Sequence, residues 1–153
     1  MATDILEQIA QAIVTLLSGL IGGTPTVVAV ERPLRMGLPS APRDGLLVVR
    51  QDLPVEDEEG PHGFKQWMQP IVVDCYAVPS DSSTEPIETQ LNAMRAAVEQ
   101  RLRTTPTLGG LALDLRIREP EAFMASTGAF EGVGVVAEVL YRTLEDDPYS
   151  TGG

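Results

Sequence analysis

Residues 132–143 read GVGVVAEVLYRT, and no other stretch limits the fold of this chain so much. Side chains alternate across a strand, so Val133, Val135, Ala137, Val139 and Tyr141 share one face. Gly134, Val136, Glu138, Leu140 and Arg142 share the other. The first face is apolar throughout; the second is apolar in places and charged in others. That suits a strand covered by helices on one side and partly by another surface on the other. At ~3.3 Å per residue it runs ~40 Å, enough to cross the centre of a sheet or project beyond it. Asp146, Asp147 and Pro148 are expected to stop it. Residues 1–145 then read as one domain and 146–153 as a flexible, polar C-terminal tail.

The rest of the chain supplies partners for that strand. Asp4 and Glu7 have the spacing of a helix N-cap and its third residue. Ile5, Leu6, Ile9, Ile13, Leu16, Leu17 and Leu20 follow with helical period, and Gly22 and Gly23 are expected to end the helix. Residues 26–31 read as a short strand, and 32–44, with three prolines, as a loop. Residues 45–53 and 64–78 read as the arms of a long hairpin. Its tip carries Glu56, Asp57, Glu58 and Glu59. Pro70 implies a bend, a bulge or an edge in the second arm. Trp67 and Met68 on that arm read as core or as partner contacts, and Phe64 and Trp67 stand as candidate partner anchors. A second helix, with Thr84 as its N-cap, aligns Ile87, Leu91, Met94, Val98 and Leu102. Residues 111–118, LALDLRIR, alternate as a strand, with Arg116 and Arg118 outward; residues 119–131 read as a connecting loop. The expected class is α+β: a mixed, mostly antiparallel sheet, two helices on one face and a long protruding hairpin. Leu91, Met94, Val98, Leu113, Leu115, Val135, Val139 and Tyr141 are expected to be buried together.

The chemistry is sparse. The chain has 153 residues, one cysteine, one histidine and a formal charge of −11. Cys75 lies in an apolar run, which reads as a buried small side chain rather than a nucleophile. His62, between Pro61 and Gly63, reads as a loop residue. The four carboxylates at 56–59 lack the spacing of a calcium loop. No phosphate loop, nucleophile elbow, cysteine pair or histidine cluster is present. No catalytic residue, cofactor site or metal site is assigned, and no enzyme is expected. A surplus of acid also opposes the grip on phosphate that a duplex binder needs. Residues 5–21 are interrupted by Glu7, Gln8 and Gln11, so no membrane span is expected, and production in the cytoplasm is the default.

The order of elements resembles the tail terminator (tail completion, minor tail) proteins of long-tailed bacteriophages. The resemblance is carried by the N-terminal amphipathic helix, the arm PIVVDCYAV and the helix IETQLNAMRAAVEQRL. The turn TPTLGG with the strand LALDLRI, and the ending VVAEVLYRTLEDDP, complete it. Together these cover most of the chain. The resemblance implies a structural virion protein at the neck end of the tail. Such proteins form a hexameric ring on the last ring of the tail tube, stop its growth and offer a surface to the head connector or stopper protein. DNA later passes through the ring without specific binding. An acidic chain without catalytic motifs is compatible with such a conduit. Glu56, Asp57, Glu58, Glu59, Phe64, Trp67, Arg116 and Arg118 are then candidate contacts with neighbouring subunits or the tube. The other readings are a head–tail neck protein and a small acidic metabolite-binding or enzyme domain.

Overall fold

The computed structural model describes residues 4–33, 44–57, 62–78, 85–118, 125–126, 131–144 and 146–151. They form an α+β fold of two helices and an eight-stranded mixed sheet, curled into a half-barrel. The helices are α1 (Ile5–Ser18) and α2 (Ile87–Arg103). The strands are β1 (Ala29–Glu31), β2 (Leu46–Gln51), β3 (Val55–Asp57), β4 (Phe64–Ala77), β5 (Asp114–Ile117), β6 (Ala125–Ser126), β7 (Glu131–Leu144) and β8 (Asp147–Thr151).

The alternating stretch is the spine of this sheet. Strand β7 pairs antiparallel with β4 without interruption, from Phe64 opposite Leu144 to Ala77 opposite Glu131. Short strands lie end to end along the outer side of each: β2 and β3 along β4, and β6, β5 and β8 along β7. Strand β1 adds parallel to β2. The hairpin arm β4 is therefore held by β7 along its whole length. Glu56 and Asp57, expected at the tip, continue the ladder in β3 opposite Trp67 and Gln66. Glu58 and Glu59 lie outside the described residues.

The apolar face of the spine is the core face. Val135, Ala137, Val139 and Tyr141 meet Ile71, Val73 and Cys75 of β4, Leu47 and Val49 of β2, and Leu115 of β5. Both helices cover this face. Helix α1 contributes Ile5, Ile9, Ile13 and Leu17; α2 contributes Met94, Val98 and Leu102, with Leu91 also buried. Of the core expected from the sequence, Leu113 alone is only half-buried.

Several boundaries depart from the sequence reading: β1 starts at Ala29 rather than at 26, and β6 and the start of β7 lie within the expected loop 119–131. Helix α1 begins as expected, with Asp4 Oδ1 accepting the Glu7 N–H at 2.7 Å. It ends at Ser18, before Gly22 and Gly23, and the chain tightens into i→i+3 turns through Ile21. Arg101 of α2 reaches this end and donates from Nε to the Leu16 carbonyl at 3.0 Å, a second donor to a carbonyl that also accepts the Gly19 N–H at 3.3 Å. Helix α2 starts after Pro86, and Thr84 lies outside the described residues. The strand expected over 111–118 is shortened to β5. Gly109 and Gly110 turn the chain with positive φ, and the Ala112 N–H closes that turn onto the Thr107 carbonyl at 2.9 Å. Residues 147–151, expected as tail, return along β7 as β8. Asp147 makes the return possible. Its carboxylate accepts the Tyr149 N–H at 2.9 Å and the Ser150 hydroxyl at 2.7 Å, a side-chain turn that the Asp-Asp-Pro pattern conceals. These two bonds, Ser150 first, hold its carboxyl below the usual aspartate range.

Pro70 neither ends nor bends β4 out of register. Its effect falls on the neighbour. The Asp52 N–H donates to the Pro70 carbonyl at 3.1 Å, but the return bond needs an N–H that proline lacks. Gln69 replaces it: Nε2 donates to the Asp52 carbonyl at 2.5 Å and to the Pro70 carbonyl at 2.6 Å. Strand β2 stops at Gln51 and β3 begins at Val55, so the break in the outer arm sits beside the proline.

Candidate interaction surface

The face of the sheet away from the helices carries the groups available for recognition. Near one end Leu46, Val48 and Tyr76 form a second small buried cluster, with Ala29 packed against it. Gly132 lets the Tyr76 ring lie on β7, because a methyl group there would sit 3.0 Å from Tyr76 Cε1. Beyond that cluster the face mixes half-buried Met68, Val72, Val136 and Leu140 with four arginines.

Each arginine has an acceptor within the chain. Arg50 Nε donates to Asp74 Oδ2 at 2.6 Å, across the β2–β4 pair. Asp74 is nearly buried, and its carboxylate raises the Arg50 pKa. Arg116 Nε donates to Asp114 Oδ2 at 3.0 Å, Arg118 Nε to Glu138 Oε1 at 2.6 Å, and Arg142 Nε to Gln66 Oε1 at 2.8 Å. Three of these four acceptors are carboxylates, so the face is close to neutral. That is the wrong surface for gripping phosphate, where unpaired cations release counterions. As expected, Arg116 and Arg118 point outward, with side chains 72% and 48% exposed.

The exposed apolar groups are concentrated elsewhere. The large exposed hydrophobic side chains among the described residues are Ile21, Val28, Leu53, Val55, Leu144 and Tyr149. The last four lie toward one end of the spine, where β4 begins and β7 finishes. Leu53 is 78% exposed and Val55 62%, on the β3 edge; Leu144 is 39% and Tyr149 51%, on the β8 side. Scattered exposed hydrophobics are ordinary; these form two pairs on opposite edges toward the same end of the sheet.

The candidate residues divide. Glu56 is exposed on β3. Phe64 is half-buried, opposite Leu144. Trp67 takes the core alternative rather than the partner one: it is half-buried against the core, and its Nε1 donates to Thr143 Oγ1 at 3.4 Å. Its position opposite Tyr141, on the helix-covered face, is the reason. Leu53, Val55, Leu144 and Tyr149 were not singled out from the sequence. The available signal was apolar residues just outside the clean alternation.

The rest of the chemistry stays apart. Cys75 is buried, and burial, with a smaller contribution from the Asp74 carboxylate, pushes its thiol up to about 12. His62 is exposed in the turn before β4, and the length of that strand separates the two. Among the described residues no group of three or more His, Cys, Asp or Glu is placed to hold a metal ion. No described helix is long and apolar enough to cross a membrane. No protein-family model matches the chain, and no curated protein matches it.

Proposed function

We propose that this is a structural protein of a phage tail, a terminator that caps the tube as a hexameric ring. It would stop tail growth, face the head connector and leave a channel for DNA. The observation that carries an assembly role is the exposure of four large apolar side chains toward one end of the spine, Leu53 and Val55 on the β3 edge and Leu144 and Tyr149 on the β8 side. Exposed apolar groups of this size gain free energy when a contact removes them from water. The choice of a tail terminator among assembly proteins rests on the sequence resemblance. The arginine-bearing face supports passage of DNA rather than its capture, because Arg50, Arg116 and Arg118 are paired with carboxylates.

Polymerising tail-tube protein with and without this chain tests the reading. The expected result is shorter tubes that no longer extend when fresh subunits are added, and no appreciable duplex binding near physiological salt. Unchanged tube growth together with tight duplex binding would point instead to a nucleic-acid-binding module.

A further inference from the structure

Where β4 begins and β7 finishes, the face away from the helices has a regular order. Directly opposed residues of neighbouring strands put their side chains on one face, ~5 Å apart. Val55, Met68 and Leu140 are opposed in turn and make one apolar row across β3, β4 and β7. Phe64 and Leu144 are opposed in a second apolar row, two pleats further along the same strands. Gln66 and Arg142 are opposed between the two rows. Val55 and Leu144 are exposed, and Phe64, Met68, Leu140 and Arg142 are half-buried, so the group stands at the surface.

Arg142 differs from the other arginines of this face. Arg50, Arg116 and Arg118 each hold a carboxylate. Arg142 Nε donates to the neutral Gln66 Oε1 at 2.8 Å, and among the described residues nothing accepts from its two Nη groups. Four N–H donors are left, in the planar fork that matches a carboxylate. The neighbouring acidic positions do not fill it. Asp114, opposite Leu140, is bonded to Arg116. Asp57 is opposite Gln66, which sets it two strands and so ~10 Å from Arg142. We infer that this end of the sheet docks an extended, apolar segment of a partner protein, with a carboxylate of that segment seated on Arg142. Rows along a strand repeat every ~7 Å, as do alternate side chains of an extended chain. The fitting pattern is therefore apolar, acidic, apolar at every second position. A nucleic-acid backbone fits poorly, because one open cation lies between apolar rows and the formal charge of −11 repels phosphate. This rests on the assembly reading and says what kind of partner segment the surface receives.

Two capped peptides test it on the full chain, Leu-Thr-Glu-Thr-Leu and its glutamine counterpart, each followed by amide NMR shifts. The glutamate peptide is expected to bind ~10-fold more tightly and to shift Met68, Leu140 and Arg142. In Arg142→Gln the two peptides should bind alike, at the weaker level. Val55→Ser should weaken both ~3-fold and keep the ratio between them. Circular dichroism checks that each variant is folded. Equal binding of the two peptides to wild type, a preference that survives Arg142→Gln, or no shift at ~10 mM peptide overturns the inference. Inorganic phosphate that displaces the glutamate peptide at equal concentration also overturns it, since the site would then take any anion. Sedimentation of wild type with tail tubes reads the proposed function separately. Tube ends left empty while the glutamate peptide binds as expected would remove the tail-tube reading and leave the docking site standing.

Discussion

Gln69 repairs a defect that Pro70 creates. Its amide supplies the donor that proline cannot, while its own Oε1 is buried without a partner. The exchange is worthwhile because an unpaired buried backbone carbonyl costs about as much as a lost hydrogen bond. Gln69→Leu is therefore expected to destabilise by ~1–3 kcal/mol in denaturant unfolding. In a Pro70→Ala background the new N–H can reach the Asp52 carbonyl, and the same substitution should cost less. Equal costs in both backgrounds would break the link between the two residues. A second residue-scale expectation concerns pH. The Arg32 guanidinium bonds Glu7 at 2.6 and 3.2 Å and holds its carboxyl below the usual range. A depressed carboxyl stabilises the fold above the unfolded pKa of about 4.3, and that contribution is lost as pH falls through the lowered folded value. Both side chains are about one-third exposed, so solvent screening limits the contribution to ~0.5 kcal/mol. Arg32→Ala should flatten the fall in unfolding midpoint below about pH 4.3 by that amount; an identical pH profile would show that the pair contributes nothing. Neither device is written in local pattern. Gln69 and Asp52 are 17 positions apart, and Glu7 and Arg32 are 25 apart.

At the scale of elements, what was legible in the sequence is what periodicity controls. The apolar stripe of α2 places Leu91, Met94, Val98 and Leu102 inward, and the alternation of β7 places Val135, Val139 and Tyr141 against them. Leu91 is 3% exposed, and Leu91→Ala should destabilise by ~2–5 kcal/mol. An unchanged denaturation midpoint would remove it from the core and undo the packing of α2 on the sheet. Ends and edges were less legible because distant residues decide them. Arg101, 85 positions from Leu16, reaches the end of α1. The Asp147 side chain, not an apolar pattern, turns residues 147–151 into β8. Pro70 reads as a fault in its own strand, yet its partner strand carries the break. The candidate surface was half legible for the same reason. Outward Arg116 and Arg118 follow from alternation in β5. The exposure of Leu53 and Val55 follows from having no neighbour beyond β3 among the described residues.

For the whole molecule, one face of a curled sheet is spent on the core, and the other is nearly neutral through its ion pairs. The exposed apolar groups gather mainly at one end. Among its described residues no group of three or more His, Cys, Asp or Glu is placed to hold a metal ion. Assembly on a tube is the claim that joins these features, and mass measures it most directly. Single-particle mass determination of the protein, alone and with tail tubes, should show one set of six copies added at a tube end. Binding should saturate there and be absent along the tube wall. A protein that remains monomeric at every concentration and leaves the tube ends unoccupied would contradict the account.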